Sequence, residues 1–188
     1  MKRLVWASFL VVILVAAIHP HSELRPVVGI RDIMKYEVDP SADALWDSVS
    51  STVDAAGLID KQPRGEAEWQ EARRNAVTLV EAANLLLVEG RRVATDGHIE
   101  DSDVPGILPP AAIEKKIALD RPIFVRRAQA LQDAAKEALA AIDAEDPARL
   151  FEAGGKLDEA CEECHVRYWY PNDRHPPLPA HINLEPKP

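Results

Sequence analysis

Apolar residues return at three- and four-residue steps over four stretches of this 188-residue chain. The first begins at Asp39-Pro40, which reads as a helix cap with proline in the first helical position. Ala42, Leu45, Trp46, Val49, Val53 and Ala56 then mark one face of a helix ending near Gly57. A second helix, about 66–90, carries Trp69, Ala72, Ala76, Leu79, Val80, Ala83, Leu86 and Leu87, with Gly90 as its stop. A third runs from about Pro122 to Ile142, with Ile123, Val125, Ala128, Leu131, Ala135, Ala138, Leu139 and Ile142 inward. The fourth opens at Asp146-Pro147 and places Leu150, Phe151, Gly154, Leu157, Cys161, His165 and Tyr168 on one stripe. No stretch shows the alternation of a half-buried strand. The expected fold class is all-α, an antiparallel four-helix bundle over residues 28–171, because each helix must bury its stripe against the others. Trp46, Trp69 and Phe151 read as core anchors.

The segments between and around these helices differ in kind. Arg91 to Ala118 contains Asp96-Gly97, Pro105-Gly106 and Pro109-Pro110 and reads as one long connection, a length that is often functional. Residues 172–188 form a proline-rich tail, extended over the surface or disordered. At the other end, Lys2 and Arg3 precede an apolar run from Leu4 to Ile18. That run is short for a bilayer span of about 20 residues and suits a signal peptide, residues 1–17, cleaved after Ala17. Ile18-His19-Pro20 make the cleavage site imperfect, which leaves an uncleaved membrane anchor as the alternative. Either way the domain is exported, and the expected location is the periplasm.

Apolar residues make up 47% of the chain and charged residues 28%, enough for a real core. The formal net charge is −9, and removing residues 1–17 takes away only Lys2 and Arg3, making it −11. Such a balance argues against nucleic acid, whose phosphates need a basic surface, and permits a basic protein partner. Neither paired catalytic carboxylates nor an activated nucleophile is evident, so the expectation is a protein that is not an enzyme.

Both cysteines of the chain lie in Cys161-Glu162-Glu163-Cys164-His165, which excludes a disulfide-stapled scaffold. Thiols three residues apart on a helix share a face and can add across the two vinyl groups of one haem. The adjacent His165 can then offer an imidazole nitrogen to the iron. A thiol-redox pair would instead sit between a strand and a helix, and a zinc site would need a second ligand pair at finger-like spacing. A third alternative is a pair of buried or disulfide-linked cysteines beside an incidental histidine.

On these residues the chain resembles the cytochrome c-prime family, in particular its branch with a methionine-ligated, low-spin, six-coordinate haem. The likeness rests on Cys161, Cys164, His165 and the following aromatic Tyr168, with Met34 ahead of Asp39-Pro40, and spans roughly residues 28–171. Members often carry an arginine four residues after the ligand histidine; here that place is Trp169, with Arg167 the nearby cation. In an up-down-up-down bundle the start of helix one, the end of helix four and the 91–118 loop share one end. Met34, the only methionine besides Met1, falls in that zone. A thioether is a good axial partner for haem iron, and Met34 is the expected distal ligand, with packing against the porphyrin edge as the alternative. His98 is the rival ligand, and Arg91 and Arg92 are placed to pair with haem propionates or with the helix terminus. His175 and His181 belong to the tail and read as surface residues.

The expectation is thus one covalently bound haem c carrying single electrons between redox partner proteins. A five-coordinate protein that binds nitric oxide or carbon monoxide is the alternative. One from another class is a haem-free helical binding or thiol-redox protein. The family likeness also leaves a homodimer open.

Overall fold

The structure, a computed structural model, describes residues 24–54, 57–100 and 102–172. The signal or anchor segment 1–17 and tail residues 173–188, with His175 and His181, lie outside the described residues. Those described are mostly helical, with one two-stranded sheet. Among them no helix is long and apolar enough to cross a membrane.

The first helix begins earlier than its proline suggested. α1 (Ile30–Ile33) passes through a π-helical turn, Met34–Val38, into α2 (Asp39–Ser48). Asp39-Pro40 is therefore inside a longer helix and does not open it. Proline brings no N–H and its ring crowds the preceding turn, which ordinarily breaks a helix. Here the Asp39 N–H reaches back five residues to the Met34 carbonyl, and the widened turn carries the chain past Pro40. The helix also stops sooner than expected. Val49 is extended, and β1 (Ser50–Asp54) pairs antiparallel with β2 (Gly57–Lys61), Ser50 opposite Lys61. Val53, expected on the buried face, is 79% exposed; Ala56 lies outside the described residues. Ser50, Ser51, Thr52 and Val53 are poor helix formers, because hydroxyl side chains compete for the backbone and β-branched ones lose rotamer freedom.

Three long helices follow: α3 (Glu66–Leu86), α5 (Arg121–Asp143) and α6 (Pro147–Tyr168), with the shorter α4 (Pro110–Leu119) before α5. α5 packs along both α3 and α6, and α2 packs against α3. Ala72, Ala76 and Ala83 of α3 and Ala128, Ala135 and Ala138 of α5 are all buried, so small side chains bring those backbones close. Leu45, Leu79, Phe124, Leu150, Leu157 and Tyr168 fill the remaining core. On α5 the buried stripe passes through Phe124, leaving Ile123 and Val125 half-buried on its flanks instead of inward. Phe151 is not a core anchor; it is 56% exposed, whereas Trp69 is buried and Trp46 partly so.

The connection from residue 91 is more ordered than a loop. Val93, Ala94 and Ile99 are buried, and Pro110 starts α4, whose Ile113 and Ile117 dock inward one turn apart. Pro109-Pro110, read as a loop signal, is here a helix start, since proline suits the first helical turn.

Candidate functional site

α6 delivers the thiols and the imidazole. Its start is capped by the Asp146 carboxylate, which accepts from the Arg149 N–H at 3.0 Å, with Pro147 in the first turn. Its end is closed by the His165 carbonyl, which accepts from the Trp169 and Tyr170 N–H groups at 2.7 and 3.1 Å. Cys161, Cys164 and His165 occupy the last turns, all half-buried, with both thiols free.

Across from them stands Met34 in the π-helical turn. Met34, Cys161, Cys164 and His165 line one cavity of about 350 Å³, whose apolar walls include Val38, Leu86, Phe124 and Leu131. A second cavity of about 340 Å³ shares Met34, Asp39, His165 and Trp169 and continues to Ile99, Ile107 and Tyr170. The start of the first helix, the 91–118 connection and the end of α6 thus meet in one place.

The Met34 turn is held by the chain ahead of it. Ile30 and Arg31 N–H groups donate to the Arg92 and Val93 carbonyls, each at 2.9 Å. The approach is so close that a Cβ on Gly29 would stand 2.6 Å from the Val93 oxygen, so only glycine fits. The Asp32 carboxylate accepts from the Gly29 N–H at 2.9 Å, and Arg31 reaches Asp32, both oxygens of Asp96 and, at 2.7 Å, the His98 carbonyl. Lys35 pairs with Glu100 at 2.6 Å. The far side is tied too. Leu108 N–H donates to the Trp169 carbonyl at 2.8 Å, and Arg167 Nε to Asp120 at 2.6 Å. The Tyr168 ring meets Phe124 edge-on at 5.6 Å.

Burial sets the charge state of the site. It pushes the Cys161 thiol up to about 12 and that of Cys164 to about 11, so both are neutral thiols near pH 7. Burial pulls His165 below the ordinary histidine range, against the opposing pull of Glu162, and favours a neutral imidazole. Asp39 is raised by burial first, then by Asp43 and Glu100. Arg31 holds Asp32 below the usual carboxylate range, helped by the Gly29 N–H. Two buried polar atoms on the cavity residues have no partner: Arg127 Nε and Glu162 Oε1. Their other ends are engaged, Arg127 with Glu163 and Glu162 with the Tyr170 hydroxyl at 2.6 Å.

Four expected site residues come together, and three do not join them. His98 is exposed and lines neither cavity. Arg91 donates to the Val28 and Leu85 carbonyls, and Arg92 pairs with Glu114; both serve the end of α3 and its connection, away from the cavity. The cation at the cavity is Arg127, which sequence reasoning passed over. A signal existed, since Arg127 falls within the Phe124–Ala128–Leu131 stripe. Among the described residues no three His, Cys, Asp or Glu side chains are grouped to hold a metal ion by themselves.

No protein-family model, curated protein or solved structure matches the chain.

Proposed function

We propose that this chain is an exported c-type haem protein that transfers single electrons, its helices forming an antiparallel four-helix bundle with the haem at one end. One observation carries the reading: two free thiols, an imidazole and a thioether line a single, largely apolar cavity. Its size lies in the range of cofactor sites. The raised thiols speak against a thiol-redox pair, whose attacking cysteine needs a lowered value.

One of the two orphaned polar atoms supports the same fit. Arg127 Nε lacks an acceptor, and a propionate carboxylate would supply one in a charge-assisted bond. Cys161 and Cys164 would hold haem through thioethers, His165 would be the proximal ligand and Met34 the distal one. When bound, haem supplies reversible one-electron chemistry at an iron tuned by its axial pair. The chain does the rest. The Arg31–Asp32–Asp96 cluster and the close Gly29–Val93 contact hold the Met34 turn in place. Phe124, Leu131, Leu86 and Val38 give the cavity apolar walls, and Trp169 and Tyr170 flank the His165 ring at 6.0 and 6.2 Å. Walls fixed this way need little rearrangement when charge changes. The likeness to the methionine-ligated branch of the cytochrome c-prime family points the same way.

The test is to make the full chain in an exporting host that has haem-ligation machinery. Its mass should exceed that of the polypeptide by one porphyrin, and a pyridine haemochrome spectrum should report c-type haem. Colourless protein of bare polypeptide mass would overturn the reading. A high-spin ferrous spectrum that shifts with carbon monoxide would replace electron transfer by gas binding.

A further inference from the structure

We infer that the groove between α2, β1 and α6 is a docking surface for a basic protein, one with an apolar contact ringed by lysine or arginine. This deepens the reading above and rests on it for the partner's role as electron donor or acceptor. The groove measures about 760 Å³, and Asp43, Trp46 and Asp158 line both it and the thiol cavity. A protein seated there is one side-chain layer from the cavity, with Trp46 in that layer.

The helix sequence carries an unexplained cost at this spot. Glycine inside a helix is destabilising against alanine, because it has more backbone freedom to lose, and α6 carries two in succession. Gly154 has a reason within the chain: a Cβ there would stand 3.2 Å from Trp46 Cδ1, whose indole Nε1 donates to the Gly154 carbonyl at 2.9 Å. Gly155 has none, because a Cβ there would meet nothing within 4 Å. Bare helix backbone facing a groove allows close approach by a second molecule. Beside it, Phe151 leaves its ring 56% exposed on the same helix. Apolar floor and open backbone together describe a contact surface.

Charge selects the occupant. Among the described residues, Asp43, Asp47 and Asp158 take part in no ion pair. Asp43 and Asp47 stand four apart on α2, a spacing at which like charges repel. Lys61 lies in the adjoining hollow, not in the groove. A partner with a cationic rim relieves that repulsion. A second copy of a chain of net charge −9 would add to it.

Zero-length carbodiimide coupling of the full chain to lysine-rich mitochondrial cytochrome c, with mapping of the joined carboxylates, tests this. Adducts should concentrate on Asp43, Asp47 and Asp158. Gly155→Phe, whose Cβ meets nothing and whose ring fills the groove, and Asp47→Lys should each lower complex yield roughly tenfold, with melting no lower than that of the unaltered chain. Adducts spread over other acids, or yields that neither variant lowers, would overturn the inference. So would links from the groove to the chain's own residues 173–188, or a dimer in sedimentation that Gly155→Phe abolishes. Coupling does not depend on haem. A porphyrin-free chain that still couples here would sink the electron-transfer reading alone, and a haem-loaded chain that does not would sink only the docking surface.

Discussion

If haem is bound as proposed, Met34 is the side chain that decides between two kinds of iron. Its thioether shares both cavities with His165, so replacing it would remove the proposed distal donor and leave the proposed proximal one in place. Met34→Ala is expected to turn a low-spin absorption spectrum into a high-spin one that responds to carbon monoxide, read by titration of the reduced protein. A spectrum left unchanged would show that another group fills that position. Gly29 makes a different demand. Its alanine variant would press a methyl group against the Val93 carbonyl and push the first helix off its support. The cost should be roughly 1–3 kcal/mol, seen as a fall of several degrees in thermal melting. At this scale the thiol–imidazole motif was readable because its spacing alone puts the groups on one helical face. Glu162 was not, and Arg127 only through its place on the apolar stripe of α5, since how far a charged side chain is covered depends on its neighbours.

The first helix shows how an element acquires a position its own sequence does not supply. Pro40 looks like a beginning, yet the helix extends back to Ile30 because residues 92–100 hold that extension by backbone hydrogen bonds and by Arg31. Asp32 sits in that clamp with a lowered pKa. A depressed carboxylate adds stability above its unfolded value near 3.8 and loses it as pH falls through the lower folded value. Hydrogen-exchange protection at residues 30–38, corrected for the intrinsic rate at each pH, should therefore fall below pH 4, well before that of α5 and α6. Asp32→Asn should cost about 1 kcal/mol at neutral pH and remove this acid step. Equal exchange in the two proteins across that range would sink the assignment. The hairpin at 50–61 makes the converse point: Val53 kept a helical spacing by coincidence, while the local run of Ser, Thr and Val favoured strand.

The whole molecule brings three distant segments to one end, around a cavity its own side chains do not fill. Stability should then depend on what occupies that cavity. The Cys161→Ser/Cys164→Ser double variant, made without attached haem, is expected to lose roughly 3 kcal/mol or more, on the order of 10 °C in melting temperature. Calorimetry of both proteins checks this, and coincident melting curves would mean that nothing bound there supports the fold.

What residue order determined by itself was local. The spans of α5 and α6 and the start of α3 follow from apolar periodicity and from the cap at Asp146-Pro147, although α3 stops at Leu86 and does not reach the expected stop at Gly90. The thiol–imidazole motif follows from five consecutive residues. Tertiary structure decided what depends on partners far along the chain. It extended the first helix back past Pro40, kept Phe151 in solvent, turned Arg127 into the cavity wall and left His98 outside. Periodicity reports which face of an element is apolar, but not which neighbour covers it, and coverage is what makes a side chain core, surface or ligand.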